Sequence, residues 1–375
     1  MPPPSGSEPR LTKRPATRDP ITTASRLHVR ALEYHAQGRL EEALKLCARS
    51  IRFLERVLGP RHPDLANAMN TYGAIQQDLG ANAEAEAAFR RSVAIVEPLA
   101  GNSGLDGLRV RSLSHLADVL RVEGKYAEAE PLFHRALALA EAAFGPEDLH
   151  VSSVLNGWAV LCRYAGRFEE AEQFYRRALA ILESTLGPEH VDVATVYHNL
   201  GGLEFSRGRF AKAEPYARRA VEIREKALGP LRPEVAADVA SLAAILDGQA
   251  KHEEAEDLYR RALGILESQL GQENYQVAVN LNNLAALHFR RGNTLLSEAY
   301  YWWALHLKEK LLGPDHPDTA RTIHNLAVLF QSQGDFDQAD SLFRRALAVF
   351  EKSLDPQHPD LLMCRNDFEE SRRDA

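Results

Sequence analysis

The chain is short of cysteine. Cys47, Cys162 and Cys364 are its three in 375 residues, too few for a disulfide framework. Free thiols fit a reducing compartment, so a cytoplasmic location is expected. Long apolar runs are missing as well. No stretch approaches the ~18 apolar residues of a membrane helix, and no membrane association is expected. There is no basic excess either. Forty-five Lys and Arg stand against 52 Asp and Glu, for a formal net charge of -7. Nothing in that balance displaces counterions from nucleic acid or holds an anionic membrane surface.

Signs of chemistry are equally sparse. The glycine-rich GNSGLDG at 101–107 lacks the Lys-Ser/Thr ending of a phosphate loop and has no strand before it. No His-Glu-x-x-His or paired-cysteine zinc spacing occurs. His62, His190, His316 and His358 recur, but one per loop and whole repeats apart, which argues against a shared metal. Cys47 and Cys162 fall at apolar helix positions and read as small core residues. His150 and Glu147 are neighbours in a loop without a third partner. No arrangement unites a nucleophile, a base and an oxyanion site. We therefore expect no enzyme, no metal and no cofactor.

What is present is a period. Glycine recurs at 38, 80, 124, 166, 208, 292 and 334, with Ala250 in the same register. The step is 42 residues, except for 44 between Gly80 and Gly124. Each repeat carries two amphipathic patterns. In the fourth, Phe168, Ala171, Phe174, Tyr175, Ala178, Leu179 and Leu182 recur at three- and four-residue steps, the stripe of a helix with one apolar face. A small residue holds one place throughout: Ala43, Ala85, Ala129, Ala171, Ala213, Ala255, Ser297 and Ala339. There it lets two helices approach closely. The turn glycine ends the first helix in a left-handed conformation. A second glycine, followed by proline at 59–60, 145–146, 187–188, 229–230 and 313–314, ends the second helix. His-Pro-Asp follows at 62–64, 316–318 and 358–360, where the Asp is expected to cap the next helix.

The organisation follows. Residues 1–22, with six prolines in the first twenty positions, read as a disordered tail without the apolar core of a signal peptide. Residues 23–360 form eight repeats, with a joint expected at 98–108, where the second repeat is two residues longer and glycine-rich. Residues 361–375 read as a capping helix with a charged end. Leu361, Leu362 and Phe368 are expected to cover the last helix pair. The fold class is all-α: about seventeen helices in one right-handed solenoid.

The stretch RFEEAEQFYRRALAILESTLGPEHVDVATVYHNLG (167–201) resembles the tetratricopeptide repeat, and more narrowly the 42-residue version of kinesin light chains and bacterial relatives. The eight residues beyond the usual 34 fit a longer second helix and the Gly-Pro-x-His-Pro-Asp loop. The long heptad segment that joins a light chain to its motor is not seen. The resemblance thus implies a protein-binding helical solenoid rather than membership of a motor. It also implies that the first helices line an inner, concave groove.

On that implied groove, Asn199, Asn283 and Asn325 stand two residues before the small helix-packing residue, and Asn70, Asn156 and Asn282 one residue earlier. An asparagine amide both donates and accepts, so such a ladder suits an extended peptide's main chain. The other reading bonds these amides to adjacent helices. Arg121, Arg163 and Arg290 lie near the ends of the same helices. Facing inward they would favour acidic peptide side chains; facing outward they are ordinary surface arginines. On the second helices, acid and arginine recur four apart (Glu86/Arg90, Glu172/Arg176, Glu214/Arg218, Glu256/Arg260, Asp340/Arg344), a stabilising solvated face. The seventh repeat replaces the usual Arg-Arg with Trp302-Trp303, and Tyr301 takes the core place of Tyr175. The tryptophans either form an interface or fold onto neighbouring helices.

The sequence therefore points to a non-catalytic scaffold or adaptor whose partner is a protein or an acidic peptide. Two alternatives stand beside it. One is a structural scaffold that self-assembles as a homo-oligomer through the tryptophans. The other is a regulatory sensor subunit acting in trans on an enzyme or transcription factor.

Overall fold

The computed structural model describes residues 20–99, 101–356 and 358–374. Its described residues form seventeen α-helices and no strand. The first helices of successive repeats are α1 (Pro20–Ala36), α3 (Pro63–Asp78), α5 (Asp106–Val122), α7 (Leu149–Tyr164), α9 (Val191–Ser206), α11 (Pro233–Gly248), α13 (Tyr275–Arg290) and α15 (Pro317–Ser332). Their partners are α2 (Leu40–Leu58), α4 (Asn82–Val96), α6 (Tyr126–Phe144), α8 (Phe168–Leu186), α10 (Phe210–Leu228), α12 (His252–Leu270), α14 (Thr294–Leu312) and α16 (Phe336–Ser353). The last helix is α17 (Pro359–Asp374). Helix α1 starts inside the segment read as tail; residues 1–19 lie outside the described residues.

Each helix packs most closely on its neighbours in sequence. The small residue makes this contact tight. Ala43, Ala85, Ala129, Ala171, Ala213, Ala255, Ser297 and Ala339 are all fully buried. The turn glycines all have positive φ, between 68° and 82°, and Ala250 adopts 61° in the same place. Four apolar clusters succeed one another along the chain and share helices at their borders, so the core is one continuous seam. A repeat cannot bury its apolar stripe alone; its neighbour completes the burial.

Successive first helices touch one another, whereas successive second helices stand further apart. The array therefore curves with the first helices on its inner side. Over 236 residues, about five and a half repeats, it comes back onto itself: Nε2 of His316 lies 3.2 Å from the carbonyl oxygen of Gly80.

Two local expectations need correction. The helix cap is the histidine, not the aspartate: Nδ1 of His62, His190, His316 and His358 accepts the backbone N–H two residues on, at 3.1–3.2 Å. The histidine sits where the backbone is extended, and the following Asp lies in the first turn, where the helix dipole favours its charge. In the stretch where a joint is expected, Glu97–Leu99 and Ser103–Leu105 form two short 3-10 turns. Asn102 caps the second turn. Finally, α17 covers the last repeat with Leu361, Cys364 and Phe368, while Leu362 points outward and is exposed.

Candidate functional site

The inner face is built by side chains that reach from one first helix to the next. Asn199 donates Nδ2–H to Oδ1 of Asn156 at 2.8 Å. Asn325 does the same to Asn282 at 3.2 Å, and Thr322 adds its hydroxyl at 3.3 Å. These amides therefore tie adjacent first helices together. Each pair uses one amide hydrogen and one carbonyl. The pair Asn156–Asn199 leaves the Nδ2 of one and the Oδ1 of the other without a bond to described residues, and both side chains are half-buried. Asn283 is half-buried with no hydrogen bond among the described residues. Asn70 is different. It is 2 % exposed and gives its amide to Ser112 Oγ at 2.9 Å, so it ties α3 to α5.

The three arginines differ in the charges around them. Arg290 is paired with Asp247 of the preceding first helix. Arg121 is paired with Asp118 at 2.8 Å. Arg163 has no ion pair among the described residues. Its guanidinium lies over α9 where Gly202 leaves room: a Cβ at 202 would collide with Nη1. Arg121 and Arg163 both stand over the exposed ring of Tyr164, at 5.1 and 5.0 Å from its centroid. Such contacts contribute roughly 0.5–1 kcal/mol at exposed sites. Near this pair lies Tyr175, fully buried, with a hydroxyl that has no hydrogen-bond partner. Burial pushes its phenol up, and the charges of Arg163 and Arg121 oppose that.

Beside these groups is an open hollow of about 530 Å³ lined by Arg111, Ser114, His115, Arg121, His150 and Asn156. His115 stacks on Phe89 at 5.1 Å, and burial holds its pKa below the ordinary value. His198 bonds Asp238 at 2.8 Å, and Arg224 meets the same carboxylate at 2.6 Å. The inner face is therefore a mixed lattice of amides, ion pairs and rings. Sequence reasoning missed Asp118, Asp238, Asp247 and Tyr164. The acid three residues before Arg121 was visible as a spacing. The acid one repeat before Arg290 needs the helices in place.

The outer face holds the expected acid–arginine pairs, from 2.5 to 2.7 Å. The second arginine of four doublets reaches back to the preceding second helix, as Arg177 does to Glu141 at 2.7 Å, while Arg219 pairs with Glu189 in the loop before α9 at 2.5 Å. In α14 the doublet is Trp302-Trp303. Both rings are 41 % exposed, beside exposed Leu295 and Leu296, while Tyr301 is buried as expected.

Among the described residues no group of three His, Cys, Asp or Glu is placed to hold a metal ion, and no helix is long and apolar enough to cross a membrane. The thiols of Cys47 and Cys162 are buried and pushed up, to about 12 and about 11.

Comparison with known proteins follows this geometry. Models of the tetratricopeptide repeat match residues 23–97, 108–184, 150–226, 192–268, 276–352 and 325–370, and a second such model matches 237–302. A comparison with curated proteins finds no match. Among solved structures, BtubC (BKLC) from P. vanneervenii is 27% identical over 61% of this chain and 91% of that one, with a TM-score of 0.51. A Rap protein complexed with Competence and Sporulation Factor is 14% identical over 78% of this chain and 76% of that one, with a TM-score of 0.61. Repeats assigned to a kinesin light chain of Podosopora anserina are 22% identical over 55% of this chain and 97% of that one, with a TM-score of 0.45. The repeat models cover most of the chain, and the helices pair as those repeats require: the chain belongs to the tetratricopeptide-repeat family.

Proposed function

We propose that this chain is a non-catalytic scaffold that binds an extended segment of a partner protein along its inner face. Tetratricopeptide-repeat proteins generally mediate protein–protein interaction. The observation that carries the reading is the half-used amide pair Asn156–Asn199, with one donor and one acceptor left over among the described residues. A peptide main chain offers the complementary pair at every residue. Asn282, Asn283 and Asn325 extend the row. Arg163 supplies the anion preference, because it has no carboxylate of its own, whereas Arg121 and Arg290 are already partnered. The Rap protein bound to its factor shows that a related fold holds another molecule. The segment favoured here is acidic.

A second reading rests on the apolar strip of α14, where Trp302 and Trp303 would meet a second copy of the chain. Affinity capture from source lysate, read by mass spectrometry, separates the two. The Asn199→Ala/Asn283→Ala/Asn325→Ala variant and Arg163→Ala should each lose the partner, while Trp302→Arg/Trp303→Arg keeps it. Loss with the tryptophans alone would move the site to the outer face. Light scattering of the same variants reads self-association directly.

A further inference from the structure

The His-Pro-Asp loops recur, but two of their histidines have a second task. The ring of His316 accepts the Asp318 N–H at Nδ1, so its proton sits on Nε2. That nitrogen points at the Gly80 carbonyl, 3.2 Å away and 236 residues earlier. Gly80 has no room for a side chain, since a Cβ would collide with the His316 ring. One repeat further along, a histidine ring again lies against a turn glycine, here by close packing alone. A Cβ at Gly124 would lie 2.8 Å from the His358 ring.

The other turns supply the contrast. Gly38, Gly166, Gly208, Gly292 and Gly334 have the same backbone, with φ from 68° to 79°, and nothing within 4 Å of an added Cβ. Gly38 is the place where the loop before α13 would fall by the same register, and that loop carries Asn274 as its cap instead of histidine. His62 and His190 cap their helices alike, yet no turn lies against them, and their side chains are 39% and 40% exposed. Within this sequence Gly38 alone of these five turns has a loop 236 residues on, and there, with asparagine in place of histidine, the seam is open.

We propose that His316 on Gly80 and His358 on Gly124 form a two-point latch that holds one superhelical turn against the next and closes the groove along its side. The latch is thin. The two turns meet through loops and turns and not along packed helices. A partner segment then enters along the superhelix axis, or after the latch parts. The latch stands or falls independently of what the groove binds.

The test uses spin labels on the full chain at Ala83→Cys and Asp315→Cys, both exposed and each three residues or fewer from the contact. The native thiols are buried and stay unlabelled. Electron–electron distance measurement should give one narrow peak below about 30 Å. Gly80→Asn should broaden it and shift it outward by more than ~10 Å, since asparagine tolerates the left-handed backbone but its Cβ wedges the seam. Gly166→Asn carries the same backbone change with open space around it, and should leave the peak unmoved. His316→Asn keeps a cap for α15 without the reach to Gly80, and should open the seam without any strain at residue 80. A broad or long distance in the unmodified background would overturn the latch. So would an unchanged peak in both Gly80→Asn and His316→Asn.

Discussion

Ala250 stands in a left-handed turn that glycine fills in every other repeat, at φ 61°. Its Cβ crowds the carbonyl that follows, a strain of roughly 1–2 kcal/mol. Ala250→Gly should therefore raise stability by about 1 kcal/mol, read as a higher urea midpoint. A second residue-scale case is Lys308. It is 4 % exposed and donates to the Asp318 carbonyl at 3.2 Å. Burial pulls its amine down from 10.5 to about 8, against the raising effect of Asp318. The unfolded chain thus holds the proton more tightly than the fold. Stability from this group is lost as pH falls from 10.5 to about 8, and returns as pH rises. Lys308→Met should abolish that slope and stabilise the protein near neutral pH by up to about 3 kcal/mol. Urea unfolding of both proteins at pH 7.5 and pH 10 checks it. An equal slope in the two would show that Lys308 stays charged in the fold.

At the scale of the element, what the helices demand of their glycines depends on what faces them. Gly73 in α3 lies under the Phe89 ring of α4, and an added Cβ would meet it at 2.5 Å. Gly264 in α12 faces open space. Gly73→Ala should cost ~1–3 kcal/mol through forced repacking. Gly264→Ala should gain ~0.5–1 kcal/mol by restricting the unfolded chain. Thermal melts of the two single variants suffice, and a shift of the same sign in both would refute the packing account. The elements themselves were legible before any coordinates. The 42-residue step, the small residue and the turn glycine located nearly every helix, because each is a local demand of backbone or close approach. The capping role passed from aspartate to histidine because helix propensity favours Asp at a cap, while the extended backbone fell one proline earlier. Leu362 reads as cover for the last helix pair because its neighbours in sequence are apolar. Its place on the helix turns it outward.

The whole molecule was less legible. That Asn199 bonds Asn156, or that Arg290 meets Asp247, depends on the stacking of helices 43 residues apart. Sequence alone offered the amides and the charges but not who answers whom. The meeting of Gly80 with His316 lies further still from local rules, since small rotations accumulate over every intervening repeat. A stack of this kind also has unequal ends. Among the described residues helix α1 leaves Val29 and Leu32 exposed and packs on one side alone, whereas α15 and α16 are covered by α17. Hydrogen exchange should open α1 and α2 first, protect the central helices most, and keep α16 closed longer than α2. Uniform exchange along the array would contradict nearest-neighbour stability.

A plain solenoid does not count. A whole repeat gained or lost lengthens or shortens the stack, and every remaining contact stays as it was. Here the circuit from Gly80 to His316 spans a set number of units. One extra 42-residue unit inside it would advance both histidines by a notch. Placed between Gly124 and the loop before α13, it would bring His316 to Gly124 and His358 to Gly166, and leave Gly80 facing the Asn274 loop. Copy number, elsewhere the freest variable of repeat proteins, becomes in this chain a matter of fit.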